Sequence, residues 1–314
     1  MQPSIPHVKT YYLELDHDYH QPDASTNAEL DNEALIQDTV EYYESCHNDY
    51  LFAWCNRQNL ALHYGYWNSE QAYDHHEALL NTNRLLYETA QIQPHERVLD
   101  AGCGLGGSSL WISSEHGNEV VGITVSQKQA DYANHQARRR QLDAKVNFEV
   151  ADYCQTPFAD ASFDIVWALE SSCYALKKDD LIREAFRLLR PGGRLILCDA
   201  FMLKREFNEQ EWKTVMGFLN GWMLPNLSDR TNFSAGLEQA GFKDIRIQDI
   251  SSNVLPSSKH MYKTSRRLNP VQKISEWLGL RTATQTANHN AGLVQYDFFH
   301  DRMAEYLVFC ATKP

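Results

Sequence analysis

The sequence predicts an α/β fold built on a parallel sheet, and three observations carry that prediction. A short apolar strand at Val98–Ala101 runs into a glycine-rich turn, Gly102-Cys103-Gly104-Leu105-Gly106-Gly107, and then into a helix. Glycine is required where the backbone turns sharply or a ligand comes close, and open α/β sheets bind nucleotide-like ligands at such a turn. From residue 97 onward strand and helix patterns alternate, which calls for parallel strands joined by right-handed crossovers. Pro191-Gly192-Gly193 punctuates the alternation and is expected to separate a helix ending at Arg190 from a fifth strand.

Taken in order, residues 1–32 are polar, carry prolines at 3, 6 and 22, and read as a mobile arm. Residues 33–59 place Leu35, Ile36, Val40, Tyr43, Tyr50, Leu51 and Trp54 near helical spacing, with Tyr42 and Phe52 adding to the aromatic density. This predicts a helical cap that also closes over a pocket. His63-Tyr64-Gly65-Tyr66-Trp67 breaks the pattern, and Asn68-Ser69 is placed to cap a helix running through Leu79, Leu80, Leu85 and Leu86, ended by Pro94. Strands are expected at Val98–Ala101, Glu119–Ile123, Val146–Val150, Phe163–Ala168 and Arg194–Asp199, with helices at 106–116, 126–140, 178–190 and 208–223. Beyond these come a helix at 228–240, a strand at 243–250, a basic and partly helical stretch at 255–282, and a final strand at Tyr306–Ala311. Lys259, Lys263, Arg266, Arg267 and Lys273 form either a solvated helix face or a lid carrying an anion contact.

Composition narrows the function. The 314 residues suit one α/β domain with additions, and a formal net charge of −12 disfavours nucleic acid, whose phosphates need clustered Lys and Arg. The seven cysteines contain no CxxC pair and read as free thiols of a reducing compartment. The N-terminus has no signal pattern and no apolar run reaches membrane-spanning length, so a cytoplasmic protein without a membrane span is expected. Asp74-His75-His76-Glu77 is the densest cluster of metal-type ligands, but adjacent histidines on a helix point apart, and no metal site is predicted. The oligomeric state is open.

The ends of the strands carry the chemistry. Asp100, just ahead of the glycines, would repel a pyrophosphate but not a ligand bearing an ammonium and a sulfonium. The second strand ends at Thr124 where dinucleotide-binding folds place an acid for the ribose, which argues against a dehydrogenase; Thr124, Ser126 and Gln129 can still bind a diol, though Ser126 also suits a helix cap. Asp152, before Tyr153 at the end of the third strand, can accept from an adenine amino group. Glu170-Ser171-Ser172-Cys173-Tyr174 follows the fourth strand into the crevice of the sheet.

Asp100-Ala101-Gly102-Cys103-Gly104, Gly122-Ile123-Thr124-Val125-Ser126-Gln127-Lys128-Gln129, Ala151-Asp152 and Leu189-Arg190-Pro191-Gly192-Gly193 resemble the successive motifs of the class I S-adenosylmethionine (SAM)-dependent small-molecule methyltransferases. The Gly-Ile-Thr-x-Ser-x-x-Gln form resembles the branch holding tocopherol methyltransferases, sterol C-methyltransferases, cyclopropane fatty acid synthases and geranyl diphosphate C-methyltransferase. His63-Tyr64-Gly65 and Glu170–Tyr174 are most similar to the last. The resemblance covers roughly residues 40–200. It implies a Rossmann-like seven-stranded sheet with helices on both faces; the region after 200 departs from those families, so the expected organisation is an N-terminal helical cap at 33–95 and a SAM domain at 96–314 with substrate-side insertions near 201–235 and 255–300. It further implies that Gly102, Cys103 and Gly104 face the methionine part, Asp100 its ammonium, Thr124, Ser126 and Gln129 the ribose, and Asp152 and Tyr153 the adenine. Glu170 would lie beside the cofactor, Tyr43 and Tyr64 would cover it or line the acceptor pocket, and Tyr50 and Tyr174 would line that pocket.

Methyl transfer needs an in-line approach of the acceptor, and orientation alone supplies roughly 7–11 kcal/mol of such barriers. The favoured reading is C-methylation of a prenyl or terpenoid double bond, in which Glu170, beside Tyr174 under the aromatic cap, stabilises the carbocation or leads to its deprotonation, with Tyr64 a further catalytic candidate; Glu170 reads equally as a supporting acid or a helix N-terminal charge. A diphosphate on such a substrate would bring Mg²⁺ with it. The alternative is an O- or N-methyltransferase of a lipophilic natural product with His63 as base; a non-catalytic SAM-binding protein is the third reading.

Overall fold

The computed structural model describes residues 32–51, 55, 58–70 and 72–314. The arm expected at 1–32, apart from Asn32, lies outside the described residues, as do Phe52 and Trp54. Seven strands form one sheet in the order β3-β2-β1-β4-β5-β7-β6. Strands β1 (Val98–Ala101), β2 (Val120–Thr124), β3 (Val146–Val150), β4 (Phe163–Leu169) and β5 (Leu189–Met202) are parallel, and β7 (Ala304–Thr312) enters antiparallel between β5 and β6 (Lys243–Asp249).

Alternate strand residues point to opposite faces, so each strand feeds two cores. Val98, Val120, Val146, Ile165, Ile196 and Val308 join one cluster with α2 (His75–Thr89), α3 (Gly107–His116), α4 (Gln127–Arg139), α6 (Glu209–Gly221), α8 (Ser251–Trp277) and α9 (Ala283–His300). Leu99, Val121, Val166, Leu195 and Phe309 join the other with α5 (Lys178–Leu188) and α7 (Arg230–Ala240). Helices therefore cover both faces.

Several boundaries differ from the sequence expectation. The first helix, α1 (Asn32–Asp49), buries Leu35, Thr39, Tyr42 and Cys46 at helical spacing but stops ten residues short of 59. Beyond it Tyr50 turns inward, its hydroxyl 2.7 Å from that of Tyr42. The second helix is capped by Asp74, which accepts from the Glu77 amide at 2.9 Å, and not by Asn68-Ser69. The Tyr66 and Trp67 amides just before them donate instead to the Ala78 and Asn253 carbonyls, which ties this segment to α2 and α8. Pro191-Gly192-Gly193 lies inside β5, not before it: β4 pairs Phe163 with Leu189 and then Ile165 with Arg194, so the breaker bulges out of a strand that continues to Met202. The stretch at 255–282 is mostly one long helix, α8, which tolerates Pro256 and Pro270, and α9 follows where no helix was expected. Helices α6 and α8 both pack on α9, and α6 and α8 supply residues to the wall of the cavity at the carboxyl ends of the strands.

Candidate active site

Two adjoining cavities open at the carboxyl ends of β1, β2 and β4. The larger holds about 1120 Å³ of open space and the smaller about 650 Å³. Tyr43, Gly102, Gly104, Glu170 and Tyr174 line both, so anything passing between them passes these residues.

The loop after β1 is shaped by its neighbours. Gly102 has φ +93°, and a Cβ there would come 2.4 Å from the Ser171 Cβ, so glycine lets the ends of β1 and β4 touch. Ser171 completes the clamp by donating to the Ala101 carbonyl at 2.6 Å. Gly104, at φ +52°, differs: a Cβ would meet only Leu62, at 3.4 Å, and would otherwise stand in the cavity. It is the loop glycine that leaves room for a ligand. Cys103 lines the larger cavity with its thiol pushed up by burial. Asp100 is buried beneath the loop, accepts from Ser109 Oγ at 2.6 Å, and is raised to about 6 by burial.

The smaller cavity carries the polar set expected at the ends of β2 and β3. Thr124 Oγ1 donates to Gln129 Oε1 at 2.6 Å, which leaves the Gln129 amide N–H groups and the Thr124 oxygen to present to a diol. Asp152 lines it, accepting from Asn32 Nδ2 at 3.1 Å and from the Cys154 amide at 2.8 Å. Tyr153 is held by its hydroxyl on the Ser171 carbonyl at 2.7 Å. Ser126 lines neither cavity; its side chain accepts from the Gln129 amide and caps α4, so of its two expected roles the structure shows the cap.

Glu170 stands where the cavities meet. It is a non-glycine residue at φ +50°, a left-handed conformation that is found enriched at functional sites because surroundings must hold it there. Its Oε1 accepts from the Tyr64 amide at 2.6 Å and from the Tyr306 hydroxyl, leaving Oε2 for the cavity. Burial raises this carboxyl to about 8, against the two hydrogen bonds, and the charge of Asp199 adds to the rise. Asp199, also on the wall of the larger cavity, is raised by burial while accepting from Ser172 Oγ and the Cys173 amide. Burial lowers the neighbouring Lys178 to about 8, and its ammonium is spent on the carbonyls of Cys173, Ala175 and Asn226.

His63 and Tyr64 line the larger cavity from the segment between α1 and α2. His63 Nδ1 lies 2.9 Å from the Tyr64 carbonyl, which can only accept, so the proton is on Nδ1 and Nε2 bears a lone pair. That Nε2 is buried without a partner, and burial lowers the imidazole to about 4. The Tyr64 hydroxyl is likewise buried and unpartnered, its ring edge-on to Phe299 and Tyr306. Tyr43 stacks on Tyr50 at 5.8 Å and leans on Tyr174 at 5.6 Å, and Asn288 of α9 donates to both the Tyr42 and Tyr50 hydroxyls.

Sequence reasoning missed Tyr306, Asp199, Phe218, Trp222 and Met261, all on the larger cavity. Asp199 had a signal, since it is polar at the carboxyl end of a parallel strand. Tyr306 had none, because only the antiparallel insertion of β7 brings it to Glu170. The described lining of the larger cavity holds three carboxyl groups, Asp100, Glu170 and Asp199, and neither Lys nor Arg. Such a wall favours a cationic ligand, and together with the Thr124–Gln129 pair and the space over Gly104 it fits SAM.

Known proteins agree with that fit. Residues 99–197 match the family model described as a methyltransferase domain. Methyltransferase GfsG of Streptomyces halstedii is 32% identical over 226 residues, covering 72% of this protein and 80% of that one. The 27-O-demethylrifamycin SV methyltransferase of Amycolatopsis mediterranei is 35% identical, covering 62% and 71%. Tocopherol O-methyltransferases and 24-methylenesterol C-methyltransferases of plants also match. Among solved structures, the [4+2]-cyclase SpnF superposes with a TM-score of 0.74 at 26% identity, covering 89% of this protein and 97% of that one. Geranyl diphosphate C-methyltransferase of Streptomyces coelicolor, solved with S-adenosylhomocysteine, shares the fold at 20% identity and a TM-score of 0.67, covering 89% and 98%.

Proposed function

Since this protein belongs to the class I SAM-dependent methyltransferases, acting on small molecules, we propose that its acceptor is a hydroxyl of an uncharged, lipophilic compound held against His63. The observation that carries the reading is the buried, unpartnered Nε2 of His63, a residue that lines the larger cavity. A buried acceptor without a donor is costly, and an incoming O–H would satisfy it. Burial keeps the imidazole neutral at physiological pH, so Nε2 is available as a base. As the new bond forms, the hydroxyl oxygen gains positive character and its proton becomes acidic enough for a weakly basic imidazole to take.

When bound, SAM supplies an activated methyl group on a positively charged sulfur. Thr124 and Gln129 would hold its ribose, Asp152 its adenine, and Asp100 its ammonium, with Gly104 leaving the space. Glu170, at the junction of the cavities, would stabilise the positive charge and orient Tyr64 through the backbone bond. Tyr43, Tyr50 and Tyr174 would close over the site and exclude water. The described lining, with three carboxyl groups and neither Lys nor Arg, disfavours a bare diphosphate anion.

A second reading, C-methylation of a terpenoid double bond, is favoured by one observation: Glu170 lines the cavity beside the rings of Tyr43 and Tyr174, with Oε2 left over from its two hydrogen bonds. Methyl-labelled SAM incubated with a panel of lipophilic phenols, alcohols and prenyl compounds separates the two. His63→Gln should lower kcat on a hydroxyl acceptor by about 10²–10⁴-fold, with SAM affinity by calorimetry little changed. Turnover that survives His63→Gln but is lost in Glu170→Gln, on a substrate without a hydroxyl, would move the acceptor to carbon.

A further inference from the structure

Helix α8 begins in the core and ends in solvent. Val254, Ser257 and Met261 are buried, and Met261 reaches the wall of the larger cavity. From Arg266 to the end of the helix no residue is buried. Val271, Ile274, Trp277 and Leu278, with Leu280 in the following turn, are 54–83% exposed and make up five of the eight exposed large hydrophobics among the described residues. Residues 271, 274 and 278 share one stripe by their i, i+3, i+7 spacing. The exposed surface one to three turns earlier carries Lys259, Lys263, Arg266 and Arg267.

We propose that this outer stripe of α8 docks the enzyme on the surface of an anionic phospholipid bilayer. Residues 259–277 hold five cations and a single acid, Glu276, in a protein of net charge −12. The positive charge is thus concentrated beside the apolar tip, the arrangement of interfacial helices, with a Trp at the membrane boundary. A second copy pairing in parallel through this stripe would set the basic stretches of the two copies against each other, whereas anionic lipid matches both the apolar tip and the cations beside it. No described helix is long and apolar enough to cross a membrane, so the contact is peripheral. At 1.5 Å per residue, the sixteen residues from Met261 to Trp277 put the cavity wall about 24 Å from the tip. The docking is independent of which acceptor atom is methylated.

The test is flotation of the full-length protein with vesicles of phosphatidylcholine containing phosphatidylserine, against phosphatidylcholine alone. Binding should require phosphatidylserine and weaken with salt. Lys263→Gln and Arg267→Gln should each cost roughly fivefold in partitioning. The double change Ile274→Ser, Trp277→Ser should cost at least about tenfold, with SAM affinity by calorimetry unchanged in every variant as the check on folding. Absence of vesicle binding, or equal binding by the variants, would overturn the proposal. So would a dimer in sedimentation that the Ile274→Ser, Trp277→Ser protein loses while vesicles leave both proteins unbound, since a second copy would then be the occupant.

Discussion

Glu170→Gln should make the protein more stable at neutral pH. The carboxyl is buried, its Oε1 accepts from the Tyr64 amide and the Tyr306 hydroxyl, and burial lifts it from an ordinary 4.5 to about 8. A glutamine oxygen can accept the same two bonds and has no charge to desolvate. For an acid raised in the folded state, the stability tied to that group is fully present below the unfolded value, near 4.5, and is lost as pH rises toward 8. The 2.5 pH units between 4.5 and 7, at about 1.4 kcal/mol each, amount to roughly 3 kcal/mol. Wild type and Glu170→Gln should therefore have similar urea midpoints near pH 4.5 and diverge as pH rises, with the variant more stable by up to about 3 kcal/mol at pH 7. A difference that stays constant with pH would refute the reasoning. So would a variant less stable than wild type at pH 8, because the carboxylate would then be ionised and held by its donors.

The remaining predictions concern the ligand and the cap. Binding of SAM, a cation, should release a proton near pH 7 as Glu170 ionises in its field, read as a dependence of the calorimetric enthalpy on the buffer's ionisation enthalpy; S-adenosylhomocysteine, lacking the sulfonium, should release less. Gly104→Val, strained at φ +52°, should lower the melting temperature as well as bind SAM at least about tenfold more weakly, its branch entering the cavity, as calorimetry on the protein still folded would show. Gly102→Ala should instead lower the melting temperature, because its Cβ would be driven into Ser171. Asn288→Leu leaves the buried hydroxyls of Tyr42 and Tyr50 short of a donor and should cost about 1–3 kcal/mol in urea unfolding.

What was legible in the sequence was local. The glycine turn after β1, the Ser126 cap of α4, the strands β1 to β4 within a residue or two, and the cavity-lining places of Thr124, Gln129, Asp152 and Glu170 all follow from short-range patterns: alternation, caps, and polar residues at strand ends. The Gly102 requirement was readable as a glycine but not as a clamp, since Ser171, which fills the space a Cβ would take, lies in the turn after a different strand. Helix α9 escaped notice because α1, α6 and α8 all pack against it, and a helix covered from several directions shows no single apolar stripe. The same non-local cause decides the site. Tyr306 reaches Glu170 only because β7 threads antiparallel between β5 and β6, and His63 presents a bare Nε2 only because the Tyr64 carbonyl accepts from Nδ1 and so holds the ring's one N–H there. Motifs and periodicity determined which side chains stand at the ends of the strands. Pairing between segments far apart in the sequence decided which of them are buried, which proton each one holds, and what it faces.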